Sequence, residues 1–388
     1  MHVLFIPSWY PNSFNPFGGS YVREQVQLLR KSGIKTGVIY NGHIYIANIQ
    51  KFRKRFDRKI KEFIDEGSPV FKTETLQLSE WIFPKNIVRK MNQKRNNNKL
   101  EKLFLAYVNK YGKPDLMHAH SHFPGSGLKI LSGKYGIPYI ITEHWSGFRD
   151  ALIFASRAHV ILPAYAGASK LIAVSEGLAN LMLRHTGYES MVIPNGVQID
   201  THFKTVSKKP EFTIVVVGLD SRIKDFSLAV RAFSMFAHKY DDIFLRFIGG
   251  GKEDSDLQDL ITEYQLSDRI HFTGPLNRKT TLQEIHSSHI LLSTSPFETF
   301  GITIVEGMAA GLPVVAIPSC GPDGIITSDE LGCLSRPNPT DIAKDLVYIY
   351  KNYKVFNPEK IHKYAYDNFD ANKITLLLKA LYEGVISE

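Results

Sequence analysis

The sequence predicts an α/β protein built from two doubly wound parallel-sheet domains in succession. Three observations predict it. Short apolar runs of strand length recur through the first half of the chain, with helical patterns between several of them. The same alternation resumes after residue 211. Between the two series, residues 198–211 lose apolar periodicity and gain Lys204, Lys208, Lys209 and Pro210, the composition of a linker. A length of 388 residues with 44% hydrophobic content allows two domains with cores of their own.

In the first series, residues 3–6, 36–40, 115–119, 139–142 and 170–175 read as strands. A helical pattern from Tyr21 to Lys31 is ended by Gly33. The last piece is Val192-Ile-Pro-Asn-Gly-Val197, whose Asn195-Gly196 reads equally as a tight turn. Residues 44–104 interrupt the pattern. They mix apolar and basic residues from Ile44 to Ile64, then place Trp81-Ile-Phe-Pro before Lys85, Arg89, Lys90, Lys94 and Arg95. Such a segment is either a membrane-surface element or a solvated helix face around an inserted hairpin.

The second series has strands at 213–218, 244–249 and 269–274, then a pair around the stretch that organises the chain. Ile290-Leu-Leu-Ser-Thr-Ser295 and Pro313-Val-Val-Ala-Ile317 read as buried strands. Between them Ile302, Val305, Met308 and Ala309 recur at helical spacing, and Gly311 closes the helix. The loop from Pro296 to Gly301 therefore sits at the carboxyl end of a parallel strand, where open α/β sheets bind ligands. The helix start near Phe300-Gly301-Ile302 suits a phosphate, and Gly301 permits close approach.

Two carboxylates flank that helix start. Glu306 lies about five residues in, roughly 7 Å along the axis at ~1.5 Å per residue. A carboxylate there can accept hydrogen bonds from both hydroxyls of a ribose diol. Glu298, in the loop, would face the other end of a bound diphosphate. On spacing alone, both read equally as ordinary acids at a helix N-terminus.

Glu298, seven residues, then Glu306, with Phe300-Gly301 inside and Gly307-Met-Ala-Ala-Gly-Leu-Pro-Val-Val315 after, resembles the E-x7-E signature of retaining glycosyltransferases, and most nearly glycosyltransferase family 4. The resemblance covers nearly the whole chain outside residues 44–104. It implies the GT-B fold: two Rossmann-like doubly wound domains facing each other across a cleft. The domains it implies are an acceptor-binding domain at 1–198, a linker at 199–211, a nucleotide-sugar domain at 212–365, and a last helix, 366–388, crossing back to the first domain.

The resemblance also assigns residues. His144, in Glu143-His-Trp-Ser-Gly147, matches a histidine that contacts the donor sugar, and this run looks like a subgroup pattern of bacterial polysaccharide enzymes. From the residues alone, His144 reads as packing or a loop anchor. Lys224 matches a cation that neutralises the leaving diphosphate. An arginine is implied directly after Gly218, but Leu219 stands there, and Arg222 in the same loop is a candidate substitute. Gly18 and Gly19, in Pro16-Phe-Gly-Gly-Ser20, resemble the glycine loop bordering sugar and acceptor, and read alone as a plain turn. Asn12 to Pro16 add polar groups there without an assignable role. Gly249, Gly250 and Phe272 resemble segments that receive nucleobase and phosphates. His144, Glu298 and Lys224 are thus the expected catalytic set. The donor set adds Gly18, Gly19, Arg222, Gly249, Gly250, Phe272, Phe300, Gly301, Ile302 and Glu306, while His120, His122 and Trp145 border the acceptor.

His118, His120 and His122 alternate, as metal ligands on one strand face would, but no acidic or cysteine partner is spaced to complete a site. No metal and no cofactor are expected. The co-substrate implied is a UDP- or GDP-linked sugar, the transferred group a hexose or N-acetylhexosamine, and the acceptor a glycan or lipid-linked glycan of a surface polysaccharide. A non-catalytic binding partner, favoured only by Leu219, and a nucleotide-sugar epimerase of the same fold are the rivals.

Charge is unevenly placed. The net charge is +9, yet residues 1–160 hold 25 Lys+Arg against 11 Asp+Glu, a balance of +14, whereas 161–388 hold 22 against 27. An anionic partner for the first half follows. No nucleic-acid-binding motif is recognisable. No apolar run has membrane-spanning length, and the first residues read as a strand rather than a signal peptide. Cys320 and Cys333 form no zinc or disulfide pattern. A cytoplasmic bacterial enzyme, peripheral on the membrane's inner face, is expected.

Overall fold

A computed structural model describes residues 1–11, 18–45, 59–78, 85–219 and 221–388. They divide into two compact units. One comprises Met1–Val174, Leu178–Gly196 and Ala371–Glu388; the other comprises Ser175–Gly177 and Val197–Asp370.

The first unit runs β1 (His2–Pro7), α1 (Ser20–Lys31), β2 (Lys35–Tyr45), β3 (Lys61–Asp65), β4 (Ser68–Gln77), α2 (Lys85–Tyr111), β5 (Leu116–His120), α3 (Ser126–Tyr135), β6 (Tyr139–Glu143), α4 (Ala151–Tyr165), β7 (Lys170–Ala173), α5 (Glu176–Thr186) and β8 (Met191–Val192). Its eight strands lie in the order β3-β4-β2-β1-β5-β6-β7-β8, all parallel except the β3–β4 pair. β1, β5 and β6 are buried throughout, so both sheet faces are covered; β1 shows this as an apolar run, whereas β5 and β6 also bury His118, His120, Thr142 and Glu143. α1 buries Val22, Val26 and Leu29 on one stripe against Val3 and Phe5. The chain's last helix, Ala371–Ser387, belongs to this unit and adds Ile374, Leu378, Tyr382 and Val385 to the same core.

The described parts of the segment 44–104 supply the sheet edge and a helix, the hairpin-and-helix arrangement that the sequence left open beside a membrane-surface element. β2 continues to Tyr45 and pairs with β4 from Val38↔Val70 to Tyr45↔Gln77, and the β3–β4 hairpin forms the sheet edge. β4 buries Val70 and Phe71 near its start, but its second half buries Thr73, Thr75 and Gln77, so the strand carries no sustained hydrophobic alternation. Lys51, Arg53, Lys54, Arg55, Arg58 and Trp81 lie outside the described residues, as do Asn12 to Phe17.

The second unit runs β9 (Phe212–Gly218), α6 (Phe226–Ala237), β10 (Ile243–Gly249), α7 (Ser255–Glu263), β11 (Ile270–Phe272), α8 (Arg278–His286), β12 (Ile290–Ser293), α9 (Ile302–Ala309), β13 (Val314–Ala316), α10 (Pro322–Ile325), β14 (Gly332–Leu334), α11 (Pro339–Lys351) and α12 (Pro358–Phe369). Six parallel strands lie in the order β11-β10-β9-β12-β13-β14. Phe226, Phe233 and Phe236 of α6 pack with Phe247 and Ile290 in its core. Asp225, Asp254, Asn277, Asn338 and Asn357 cap helices through their side chains, so these helix starts are fixed locally.

The stretch 199–211, expected as a linker, falls within this unit. Lys209 donates its backbone N–H to Ser287 O at 2.9 Å, and Lys208 Nζ donates to His286 O at 2.9 Å. Burial pushes the Lys208 ammonium down to about 8. The final helical segment is two helices: α12 ends at Phe369, Asp370 breaks the run, and α13 (Ala371–Ser387) begins anew.

Candidate functional site

In the second unit, β10 and β11 lie to one side of β9 and β12 to β14 lie on the other. The strand order therefore reverses between β9 and β12, and the loops leaving their carboxyl ends part to form a crevice. The first of these loops carries Lys224 and the second Glu298. Lys224 Nζ donates to Glu298 Oε1, with the two side chains only 25% and 16% exposed. Partial exclusion of water strengthens such a pair relative to one in open solvent.

Both loops are held in place. Asp225 adopts a left-handed conformation, φ 46°, and the Thr294 hydroxyl lies 2.9 Å from the carbonyls of both Lys224 and Asp225. The backbone N–H of Glu298 donates to Ser319 Oγ at 3.1 Å. Gly301, at φ 110°, opens α9, and its carbonyl accepts from Ile304 and Val305. The N–H groups of Ile302 and Thr303 precede the first intrahelical bond and stand at the positive end of the helix. Glu306, only 3% exposed, follows in the second turn and accepts a hydrogen bond from Arg278 Nη1 at the start of α8. Arg278 was missed by sequence reasoning, since 28 residues separate it from Glu306 and no local pattern joins them.

Several of the residues expected on the donor side have structural partners of their own. A Cβ on Gly249 would lie 2.1 Å from Gly218 O, and one on Gly250 would lie 1.9 Å from Leu219 O. The Gly249 N–H donates to Gly274 O and the Gly250 N–H to Gly218 O. These glycines let the ends of the paired strands β9 and β10 approach closely. The Phe300 ring is buried, edge-on to Phe369, and serves packing. Phe272 stacks on Phe247 with centroids 5.0 Å apart, and Ile302 is half-buried. Arg222 is exposed on the Lys224 loop, where its charge reaches Asp254, while Leu219 is 52% exposed.

In the first unit the strand order reverses between β1 and β5. Gly19, at φ 73°, starts α1 and passes so close to Trp9 that a Cβ would lie 2.2 Å from Trp9 O; the adjoining Gly18 is half-buried. Across the sheet, three imidazoles stack: His118 on His120 at 4.5 Å, and His120 on His144 at 5.3 Å. His118 Nδ1 meets Tyr382 OH at 2.7 Å and its Nε2 meets Thr142 Oγ1 at 2.8 Å. His120 Nδ1 and His144 Nε2 share a hydrogen bond of 3.0 Å. Burial lowers the His144 imidazole to about 4 despite the Glu143 charge, and lowers His118 to about 3. These rings are neutral at pH 7.

Glu143 is the organising carboxylate of this cluster. Its Oε1 accepts the backbone N–H groups of His144 (2.9 Å) and Trp145 (3.0 Å), and its Oε2 accepts from Tyr165 OH and meets His122 Nδ1 at 2.9 Å. Burial opposes its charge, but the His122 contact and the hydrogen bonds outweigh it and hold the carboxyl at about 2. Trp145 packs edge-on against His122. The sequence marked this run but gave Glu143 no role. Each histidine of the cluster thus has an organic partner, and no grouping of three or more His, Cys, Asp or Glu able to hold a metal occurs among the described residues.

Residues 19–201 match the family described as Glycosyltransferase Family 4, and residues 197–368 match the family described as Glycosyl transferases group 1. The chain belongs to glycosyltransferase family 4. A Bacillus subtilis protein named as a putative teichuronic acid biosynthesis glycosyltransferase is 23% identical, over 99% of each chain. The D-inositol 3-phosphate glycosyltransferase of Paenarthrobacter aurescens is 25% identical over 62% of this chain and 65% of its own. Among solved structures, sucrose-phosphate synthase from Thermosynechococcus elongatus superposes with a TM-score of 0.74 at 18% identity, covering 100% of this chain and 99% of that one. An Anabaena protein solved in complex with UDP superposes with a TM-score of 0.72 at 16% identity, covering 99% and 100%. The family 4 chain has the GT-B fold. Within it, the Lys224–Glu298 pair stands at the second unit's switch point and the Glu143-centred cluster beside the first unit's.

Proposed function

We propose that this family 4 glycosyltransferase moves a hexosyl or N-acetylhexosaminyl group from a UDP- or GDP-linked sugar, with retained configuration, to a glycan or lipid-linked acceptor in the assembly of a bacterial cell-surface polysaccharide. The observation that carries the donor half is the meeting of Lys224, Glu298 and the α9 start at one switch point. A diphosphate on the α9 start would place its charge against backbone N–H groups and the Lys224 ammonium. As the bond from the anomeric carbon to the diphosphate breaks, charge grows on the leaving oxygen, and a preplaced cation stabilises that charge more than the ground state. A bond forms from the same carbon to an acceptor hydroxyl oxygen, whose proton passes to the departing diphosphate. Glu298 orients Lys224, Glu306 is suited to the ribose diol, and the neutral His144 imidazole is suited to a sugar hydroxyl.

Lys224 and the helix start supply positive charge without a divalent cation, so we infer a metal-independent reaction. The UDP-bound Anabaena structure and the teichuronic acid relative support the donor class and the polysaccharide setting. The test is nucleotide release from a panel of UDP- and GDP-sugars, with and without glycan acceptors. Release that requires acceptor, with an α-linked product from an α-linked donor, supports the reading. Acceptor-independent isomerisation of the donor, or binding without turnover, overturns it.

A further inference from the structure

The first unit contains a cavity of about 720 Å³ that none of the donor chemistry uses. It opens at the carboxyl ends of β1 and β5 and is closed on one side by α2. No Asp or Glu stands among its described lining residues, whereas Arg89 and Arg157 do. The His43 imidazole in its wall is lowered by burial, and then by the Arg157 charge, to about 4, so at neutral pH the arginines supply its charge. The N-terminal end of α3, at Gly125–Ser126, opens onto the same space and adds a positive helix end.

The cavity is equally marked by side-chain amides held in fixed poses. Gln77 and Asn96 bond reciprocally, at 2.8 and 3.4 Å. Gln93 and Asn97 both donate to Ser126 Oγ, at 2.9 and 3.1 Å, which directs their carbonyl ends elsewhere. Asn92 grips the Leu78 backbone through both of its ends and anchors α2 to the end of β4. Preset amides offer donors and acceptors at fixed positions, the chemistry that recognises vicinal hydroxyls. Trp9 and Phe123, edge-to-face at 5.3 Å, supply an aromatic wall, and the Arg157 guanidinium lies 5.9 Å from the Phe123 ring centre.

We propose that this cavity is the acceptor subsite and that it selects a sugar bearing an anionic group, a carboxylate or a phosphate. The hydroxyls meet the amide row, the ring lies against the aromatic wall, and the anion pairs with Arg157, whose planar fork matches either oxyanion. The proposal rests on the transferase reading above, but binding tests it without turnover.

Isothermal titration of the full chain with a hexuronate-terminated oligosaccharide, a phosphorylated one and a neutral one of equal length tests it. An anionic ligand should bind at least tenfold tighter than the neutral one, and the tighter of the two identifies the anion. Arg157→Gln should remove that preference while leaving neutral-ligand and nucleoside diphosphate affinities unchanged. Gln93→Leu should weaken all three ligands. Lys90→Gln, on the outer face of α2, should change none. Equal binding of neutral and anionic ligands, or an anionic preference that survives Arg157→Gln, overturns the proposal. Anionic binding with no transfer from any donor would sink the transferase reading alone; acceptor-dependent transfer to glycans that ignore Arg157 would sink this proposal alone.

Discussion

Arg278 donates a hydrogen bond to Glu306, joining the first residue of α8 to the second turn of α9. The pair fixes a nearly buried carboxylate at the place where a ribose would lie beyond a diphosphate on the α9 start. Glu306→Ala should therefore weaken nucleoside diphosphate binding by ~1–3 kcal/mol, because a desolvated diol loses its partner. Calorimetry with free UDP and GDP reads this directly. Unchanged affinity would reduce the pair to a structural tie, in which case only unfolding midpoints would move.

Lys224 and Arg222 share one loop but not one environment. Lys224 is half-buried against Glu298, whereas Arg222 is exposed. Lys224→Ala should lower kcat by a factor of ~100 or more, as loss of a preplaced electrostatic stabiliser does. Arg222→Ala should also lower it if that side chain supplies the cation absent at Leu219, and a near-normal rate would show that it does not. Excess EDTA should leave wild-type turnover intact. Complete loss, restored by magnesium or manganese, would contradict metal independence.

Gly250 tests the close approach at the ends of the parallel strands β9 and β10. Its N–H already bonds Gly218 O, and a methyl group there would meet the Leu219 carbonyl. Gly250→Ala should destabilise the second unit by ~1–3 kcal/mol, the usual cost of overpacking, and shift its urea midpoint down. A midpoint equal to wild type would mean that the loop yields freely.

What could be read from the sequence follows from what each element packs against. β1, β9 and β12 are apolar almost throughout, and they, β5, β6 and β10 carry enough buried hydrocarbon to show as short runs, legible to within one or two residues. The β3–β4 hairpin was not, because Thr73, Thr75 and Gln77 point inward and bond other polar groups instead of burying hydrocarbon. Within the site, Glu298 and Glu306 were legible because their spacing is local. Their cationic partners come from other loops, and only Lys224 stood in a recognisable pattern. Gly249 and Gly250 are ambiguous for a physical reason: close approach of two backbones, which the structure shows, and close approach to a ligand ask for the same residue.

The stacked histidines make the first unit acid-sensitive in a defined window. Burial lowers His118 to about 3 and His144 to about 4, and holds His120 well below its ordinary value of 6.5. Above pH 6.5 the rings are neutral folded or unfolded and contribute nothing to pH dependence. Below it the unfolded chain takes up protons that the folded one refuses, so stability falls as pH falls. Each ring should cost about 1 kcal/mol by pH 5.5. Glu143 acts later: its depressed value of about 2 supports the fold above 4.5 and is lost only between 4.5 and 2. Urea midpoints should therefore drop between pH 7.5 and 5.5, and His144→Asn should flatten the slope. A flat wild-type profile over that range would mean that the rings protonate in place.

The outer face of α2 carries the last prediction. Ile87, Lys90, Met91, Lys94, Lys102 and Leu105 are exposed along one side of the helix, so lysines and apolar side chains alternate on a solvent-facing surface. No helix among the described residues is long and apolar enough to cross a membrane, so any membrane contact through this face would be lateral. Lysines near an anionic surface gain ~1 kcal/mol each, and the apolar side chains between them can enter the headgroup layer. We therefore expect the chain to sediment with vesicles containing anionic lipid and to release as salt rises, since screening shortens the reach of these charges. Neutralising Lys90, Lys94 and Lys102 to Gln should cost roughly 3 kcal/mol of partitioning, about a hundredfold, while leaving nucleotide affinity intact. Equal partition into neutral and anionic vesicles, or no effect of the triple change, would place the acceptor in solution as a free oligosaccharide.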